Sequence, residues 1–564
     1  MQTRRLCRFV VAMGLAVAGT LVAAHPASAG ARIVIINNNA PGVGFNDPTP
    51  AAPVGGNPGT TKGEQRLIAF QHAANLWGAM LDSTVEIRVQ AQFTALGANV
   101  LGSAGATFIF RDFTGNPGFP GAAFPLTWYH SALADKRSGF DRAEASFGAG
   151  QPDIVANFST NFDFYLGLDA NHGAQVDLVA VVLHELGHGL GFANFVNETS
   201  GANQSGVTDI YSQFTLDTTN NTLWAQMTTN IERAASALRV DRISWNGANV
   251  TDAVPHVLVY GRPELNVYSP AAVAGSYRVG AAAFGAALAS PGITGDVVLA
   301  LDAANAAGPS TTDGCSPITN AAAVAGRIAV VDRGTCGFVV KVKNAQDAGA
   351  TAVLVADNAA GDPPAGLGGA DPAITIPSVR ITLALGTAIK ARLAAAETVN
   401  VNLGVDLSQR AGADPSGFAQ LYATNPVQSG SSISHYEAFA FRNLLMEPAI
   451  NGDLTHEVIP PYDLTLPLMR DIGWYVDGNL DGAADATFTF GACTTAQPDQ
   501  QLPNGAMLND QARVWYRDCA IGARNHGQFV SCVAKTTNAA MKGGLISGAQ
   551  KGAIQQCAAQ ANIP

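Results

Sequence analysis

The chain has 564 residues, of which 47% are apolar and 13% charged, with a formal net charge of −11. A chain this long exceeds a single hydrophobic core and implies about two to four domains. Its acidic balance and sparse charge exclude a nucleic-acid partner or a polybasic membrane contact and fit a soluble, acidic, secreted protein.

Arg4, Arg5 and Arg8 precede an apolar run from Phe9 to Ala24, and Ala27-Ser28-Ala29 offers the small side chains of a cleavage site. Residues 1–29 therefore read as a secretory signal peptide, and no later run is long and apolar enough to span a bilayer. Cys7 leaves with the signal. The other six of the seven cysteines, in an exported chain, predict disulfides.

Arg32 to Asn37 reads as a strand, followed by a loop rich in Gly, Pro and Asn as far as Gly59. Thr61 and Glu64 form a capping box. Behind it Leu67, Phe70, Ala74, Trp77 and Leu81 recur at helical spacing, predicting a helix of about five turns with one face inward. Val85, Ile87 and Val89 alternate with Glu86, Arg88 and Gln90 as in a strand with one wet face, so the chain opens as an α/β unit. Residues 97–150 are rich in glycine, alanine and aromatics and show no period. Asp153 to Phe158 predicts a further strand.

Asp177 is placed to cap the apolar run Leu178 to Leu183, which enters His184-Glu185-Leu186-Gly187-His188-Gly189-Leu190-Gly191-Phe192. Residues four apart lie one helical turn above each other, so His184 and His188 are placed to hold one metal ion, with Glu185 beside it. Imidazole nitrogens suit Zn²⁺, and an open coordination position lowers the pKa of water towards neutrality, with Glu185 as its base. The alternative is a core helix with two hydrogen-bonded histidines. A chance H-E-x-x-H, in roughly one chain of this length in a hundred, makes the metal reading the stronger. Gly187, Gly189 and Gly191 each weaken a helix by about 1 kcal/mol relative to alanine, so packing or metal must hold this end.

Residues 195–255 read as loops and one helix around Leu223 to Leu238. From Pro263 the texture changes: Gly326 to Val331 and Ala350 to Val355 are strand-like and flank a short helix, Val339 to Ala348. A Cys315–Cys336 disulfide across this part contributes about 3 kcal/mol if unstrained. Leu464 to Trp474 reads as a helix ending at Gly473. Asp477, Asn479 and Asp481 then space oxygen ligands like the start of a Ca²⁺ loop, with Asp485 in place of the usual glutamate; a solvated linker turn is the alternative. The final part, with Cys493, Cys519, Cys532 and Cys557 and a capping box at Ser547 and Gln550, predicts small disulfide-linked helices, and three cysteine pairings stay open.

Two resemblances extend these readings. The motif H-E-x-x-H-x-x-G resembles the metzincin signature, in which a third ligand follows three residues later; here that position holds Asn194, a poor zinc ligand. The segment SHYEAFAFRNLLMEP, however, resembles the one that carries the third histidine and the methionine turn in leishmanolysin-like metzincins, where an insertion separates it from the helix. The resemblance implies His435 as third ligand ahead of His456, Met446 beneath the zinc, and a zinc endopeptidase acting on protein or peptide substrates. It also implies Ile154, Val155 and Ala156 as an edge strand aligning substrate, with a plain core strand as the alternative. Second, GRIAVVDRGTCGFVVKVKNAQDAGATAVLVAD and IPSVRITLALGTAIKARL resemble the protease-associated (PA) domain, a β-rich module that implies a lid or substrate-binding role.

The expected fold is α+β: a metzincin-like catalytic domain over 30–264 and 404–476, interrupted by a PA-like domain over 265–403. A linker and helical cysteine-containing region follow over 477–564. An insert whose ends lie close is expected to be removable, because closure entropy grows only logarithmically with length. The other functional expectation is a non-catalytic secreted binding protein on a decayed protease fold, favoured by Asn194. No feature of the sequence sets an oligomeric state.

Overall fold

The computed structural model describes residues 30–475 and 484–563. Residues 1–29, predicted as a signal peptide, and the calcium candidates Asp477, Asn479 and Asp481 lie outside the described residues; Asp485 lies within them.

The chain begins with a strand, crosses through a helix and returns in parallel. Strand β1 (Ile33–Asn37) leads to helix α1 (Lys62–Met80), whose capping box closes with Glu64 N donating to Thr61 Oγ1 at 3.2 Å. Helix α1 buries Phe70, Ala74 and Trp77 completely. Each large side chain so removed from water contributes about 1.5–3 kcal/mol. Leu67, expected on the same face, is 37% exposed. Strand β2 (Ile87–Thr94) alternates buried and half-buried residues and pairs in parallel with β1.

The unpatterned stretch after it contains strand β3 (Gly102–Ala106), strand Thr127–His130 and helix Ser131–Ser138. Strand β4 (Ile154–Ser159) joins β2 in parallel and β3 antiparallel, giving the sheet order β1-β2-β4-β3. The expectation for Ile154, Val155 and Ala156 is thereby corrected: both sides of β4 are hydrogen-bonded within the sheet, and β3 is the edge. Helix α2 (Leu178–Leu190) packs across α1, with Trp77 Nε1 donating to Leu183 O at 3.0 Å. The single helix expected around Leu223 to Leu238 is a short turn, Trp224–Gln226, followed by a helix over Asn230–Ala237, because Thr229 and Glu232 form a capping box of their own.

Between Tyr260 and Arg410 the chain builds a second, eight-stranded sheet. Its strands are β5 (Tyr260–Ser269), β6 (Gly275–Arg278), β7 (Gly280–Ala281), β8 (Ile293–Leu299), β9 (Ile328–Asp332), β10 (Ala352–Ala356), β11 (Ser378–Ile381) and β12 (Asn400–Arg410). They lie in the order β6-β5-β12-β8-β9-β10-β11-β7, with β8 to β11 parallel. Successive residues of β9 and β10 face opposite ways. Ile328, Val330 and Leu354 pack with Leu385 and Ile389 of helix α4 (Leu383–Ala394). On the other face Ala329, Val331 and Val355 pack with Val342 and Ala345 of helix α3 (Phe338–Asp347). Cys315 and Cys336 are disulfide-bonded.

After β12 the chain rejoins the first body, whose core also holds Tyr436, Leu445, Met446 and helix α5 (Thr465–Ile472). The C-terminal part comprises a hairpin, Thr487–Phe490 with Cys493–Pro498, and helices α6 (Leu508–Gly522), α7 (His526–Lys542) and α8 (Gly548–Gln560). Its disulfides join Cys493 to Cys557 and Cys519 to Cys532. The hairpin is a departure from the all-helical expectation. The protein is thus a mixed α/β molecule with three disulfides, and among the described residues no helix is long and apolar enough to cross a membrane.

Candidate metal centre

Helix α2 carries His184 and His188 four residues apart on one face, and Asp177 caps it, with Val179 N donating to Asp177 Oδ1 at 2.9 Å. His435 comes from a segment 247 residues beyond His188. The three Nε2 atoms form a triangle with sides of 3.2, 3.2 and 3.2 Å. Each Nδ1 faces a backbone carbonyl: Leu445 O at 2.7 Å for His184, Phe192 O at 2.8 Å for His188 and Ser431 O at 2.8 Å for His435. A carbonyl only accepts, so each Nδ1 carries the proton and each Nε2 presents a lone pair.

Three lone pairs converging at this distance repel unless a cation lies among them. Protons do not fill the role, because burial depresses the basicity of all three rings: His184 falls to about 3, His188 to about 4, and His435 well below its ordinary value. A tetrahedral zinc about 2.0–2.1 Å from each nitrogen sets its ligand atoms roughly 3.3 Å apart, which the triangle matches. The residues present therefore fit a zinc ion, with carbonyl partners fixing each ring's tautomer and orientation.

Glu185 lies beside the triangle, and burial pushes its carboxyl up to about 8, offset in part by the backbone N–H of Ala104 on β3. A Cβ at Gly102 of the same strand would meet Glu185 Cγ at 2.9 Å, so only glycine lets the edge strand approach this closely. Met446 lies beneath α2. A Cβ at Gly187 would meet its Sδ at 2.8 Å, which accounts for a glycine inside the helix despite its cost. The turn bearing Met446 is pinned by two buried carboxyls: Leu445 N donates to Asp463 Oδ2 at 2.6 Å and Leu444 N to Glu447 Oε1 at 2.7 Å. Asp463 thus anchors Leu445, the residue whose carbonyl orients His184.

Asn194 holds no place in the triangle. Its Nδ2 donates to Ser434 Oγ at 3.1 Å and to Glu198 Oε1 at 3.1 Å, tying the chain after α2 to the residue before His435. His456 is also elsewhere, with Nε2 2.7 Å from Asp177 Oδ2. Residues that sequence reasoning missed are Gly102 and Ala104, in a stretch without period, and Asp463. Asp463 also accepts from Thr465 N at 2.6 Å, so an acidic residue just ahead of a predicted helix was its one visible signal. Among the described residues the histidine triangle is the group of three or more His, Cys, Asp or Glu side chains placed so that it could hold a metal ion.

Comparison with known proteins shows a PA domain at residues 293–389. The chain is 32% identical over 173 residues to vacuolar-sorting receptor 1 of Pisum sativum, covering 29% of this chain and 27% of that one. It is 43% identical over 82 residues to vacuolar-sorting receptor 3 of Arabidopsis thaliana, covering 13% of each. Among solved structures it is similar to an aminopeptidase from Aneurinibacillus sp. strain AM-1, at 25% identity over 26% of this chain and 31% of that one, with a TM-score of 0.20. A zinc aminopeptidase from Bacillus subtilis is similar at 20% identity over 28% of this chain and 36% of that one, with a TM-score of 0.19. The matches span between 13% and 36% of the length of these relatives.

Proposed function

We propose that this protein is a secreted zinc-dependent endopeptidase of the leishmanolysin-like metzincin type, with its PA module inserted between the second and third ligands. The observation that carries the reading is the triangle of unprotonated Nε2 atoms beside a buried carboxyl. His184, His188 and His435 would hold the ion. Bound zinc supplies Lewis-acid polarisation of a peptide carbonyl and acidifies water. Glu185 takes the proton from the attacking water and returns it to the leaving amine nitrogen. Strand β3, as the sheet edge next to Glu185, pairs with an extended substrate, its backbone groups setting the direction in which the peptide lies. The PA segment serves as a substrate-holding module.

The alternative, a non-catalytic secreted binding protein on a decayed protease fold, is supported by the likeness to vacuolar-sorting receptors. The Asn194 amide, which donates to Ser434 beside His435, favours the enzyme reading, since it gives that residue a part in the site.

Metal analysis of the purified chain, followed by incubation with a pool of denatured proteins and sequencing of the new termini, tests the reading. About one zinc per chain, with internal cuts that a chelator abolishes, is the expected result. A folded protein that holds no zinc would sink the enzyme reading, and loss of terminal residues alone would sink the endopeptidase.

A further inference from the structure

Arg278 ends β6, the edge strand of the inserted sheet, yet its side chain belongs to another part of the molecule. Its guanidinium, 9% exposed, pairs with Asp241, and its Nη2 lies 3.1 Å from Oε1 of Glu437, whose side chain is fully buried. It also stacks over the Phe439 ring at 3.7 Å. A buried carboxylate without a cation is costly, and the cation paired with Glu437 among the described residues comes from the insert.

Glu437 stands two residues after His435 on a strip that is zipped to the chain leaving β12. Ile433 N donates to Tyr422 O at 2.7 Å, Tyr422 N to His435 O at 2.8 Å and Glu437 N to Gln420 O at 3.0 Å. The loop after β10 joins the same place: Asp362 and Asn425 exchange two backbone hydrogen bonds of 3.1 and 2.8 Å. The backbone of the strip that bears the third histidine is held by Gln420 and Tyr422, and the inserted sheet reaches that strip through Arg278, which pairs with Glu437 and stacks on Phe439. By contrast, His184 and His188 ride on a helix packed against α1.

We propose that Arg278 is a positioning residue for the metal centre: through Glu437 the inserted sheet holds the His435 strip in register, so that its Nε2 completes the triangle with His184 and His188. The inference rests on the zinc reading and goes beyond it by making the insert part of the ligand scaffold. Coupling of this kind is reciprocal, so zinc strengthens the docking of β6 to the same degree that docking strengthens zinc binding.

The test measures zinc affinity by chelator competition on the full chain, together with the visible spectrum of the Co²⁺-loaded protein. Arg278→Ala is expected to weaken zinc binding roughly tenfold and to change the Co²⁺ spectrum, as loss of an outer partner does at other metal sites. Arg278→Lys should recover most of the loss. Arg392→Ala, which removes a pair with Glu397 on the insert surface, should change neither readout. If Arg278→Ala does not fold, the double variant Arg278→Gln with Glu437→Gln removes both buried charges and carries the same expectation. Wild-type affinity and spectrum in either folded variant would overturn the proposal, as would an equal loss in Arg392→Ala. In those outcomes the wild type still binds zinc, whereas a wild type that binds none overturns the metal reading and this inference with it.

Discussion

In the proposed endopeptidase Glu185 is the general base, and its surroundings separate two roles that a substitution can test. Glu185 follows His184 on the helix but belongs to no corner of the histidine triangle, so Glu185→Gln should leave one zinc in place. The same variant should lower turnover by about 10²–10⁴-fold, the usual worth of a general base. Substantial residual peptide cleavage in a zinc-loaded Glu185→Gln protein would reassign the base. For the ligands, the geometry ranks three substitutions. His435→Ala removes one corner of the triangle and should cost both zinc affinity and activity. Asn194→Ala removes only a tie to Ser434, and His456→Ala only the Asp177 pair, so each should cost far less. Zinc titration of the three variants checks the order, and a reversed ranking would refute the ligand assignment. The local half of the site was legible because H-E-x-x-H needs nothing beyond helical spacing, whereas His435 depended on a resemblance, its partners being 247 and 251 residues away.

At the scale of elements, the legible features were those whose cause is local. The Thr61–Glu64 box, the Asp177 cap and the alternation in β2 each follow from neighbours within a turn or a pleat. Strand order does not. Nothing within Ile154 to Ala156 says that another strand will add outside it, and the Gly-Ser-Ala-Gly-Ala of β3 carries no apolar alternation from which to call a strand. The junction of β4 with the helix Ser131–Ser138 holds a further device hidden from sequence. Asp135 and Asp153 are both buried, accept from Arg142 N and Arg88 N at 2.9 Å each, and turn their remaining oxygens toward one another. Burial holds both above the ordinary carboxylate range; the Asp153 charge raises Asp135 further, while a hydrogen bond with Asp135 offsets part of the rise at Asp153. The folded protein thus keeps a proton that the unfolded chain releases above about pH 4, and stability falls as pH rises from there, by at most about 1.4 kcal/mol per pH unit for one proton. Asp135→Asn supplies the proton's hydrogen bond permanently. Its melting temperature should gain on the wild type at alkaline pH and lose that advantage near pH 4. A gap that is constant with pH would show that the pair shares no proton.

At the scale of the whole molecule, the parts are less separable than a division by sequence texture implies. The C-terminal region lends Ala506 and Val514 to the main core, and its Asp510 pairs with the buried Arg470 of α5. Arg513 of α6 donates to Leu81 O at 3.1 Å, at the end of α1. The inserted sheet shows the same interdependence. Its ends do lie close, since Tyr260 pairs with Arg410, so closure entropy alone favours removing it. Yet removal of 265–403 cuts through β5 and β12 and deletes Arg278, leaving Glu437 as a buried charge without its partner. Breaking a buried pair from one side costs about 3–5 kcal/mol, a large part of the stability of a typical domain. The excised protein should therefore be poorly soluble or should bind zinc weakly. Moving the cuts outward to 260 and 410 and adding Glu437→Gln should restore folding, because the charge that Arg278 neutralised is then gone. Soluble expression and circular dichroism of the two excised forms decide the matter. If the first folds as well as the second, the charged contact contributes nothing, and the PA segment is the freely removable insert that its sequence texture suggests.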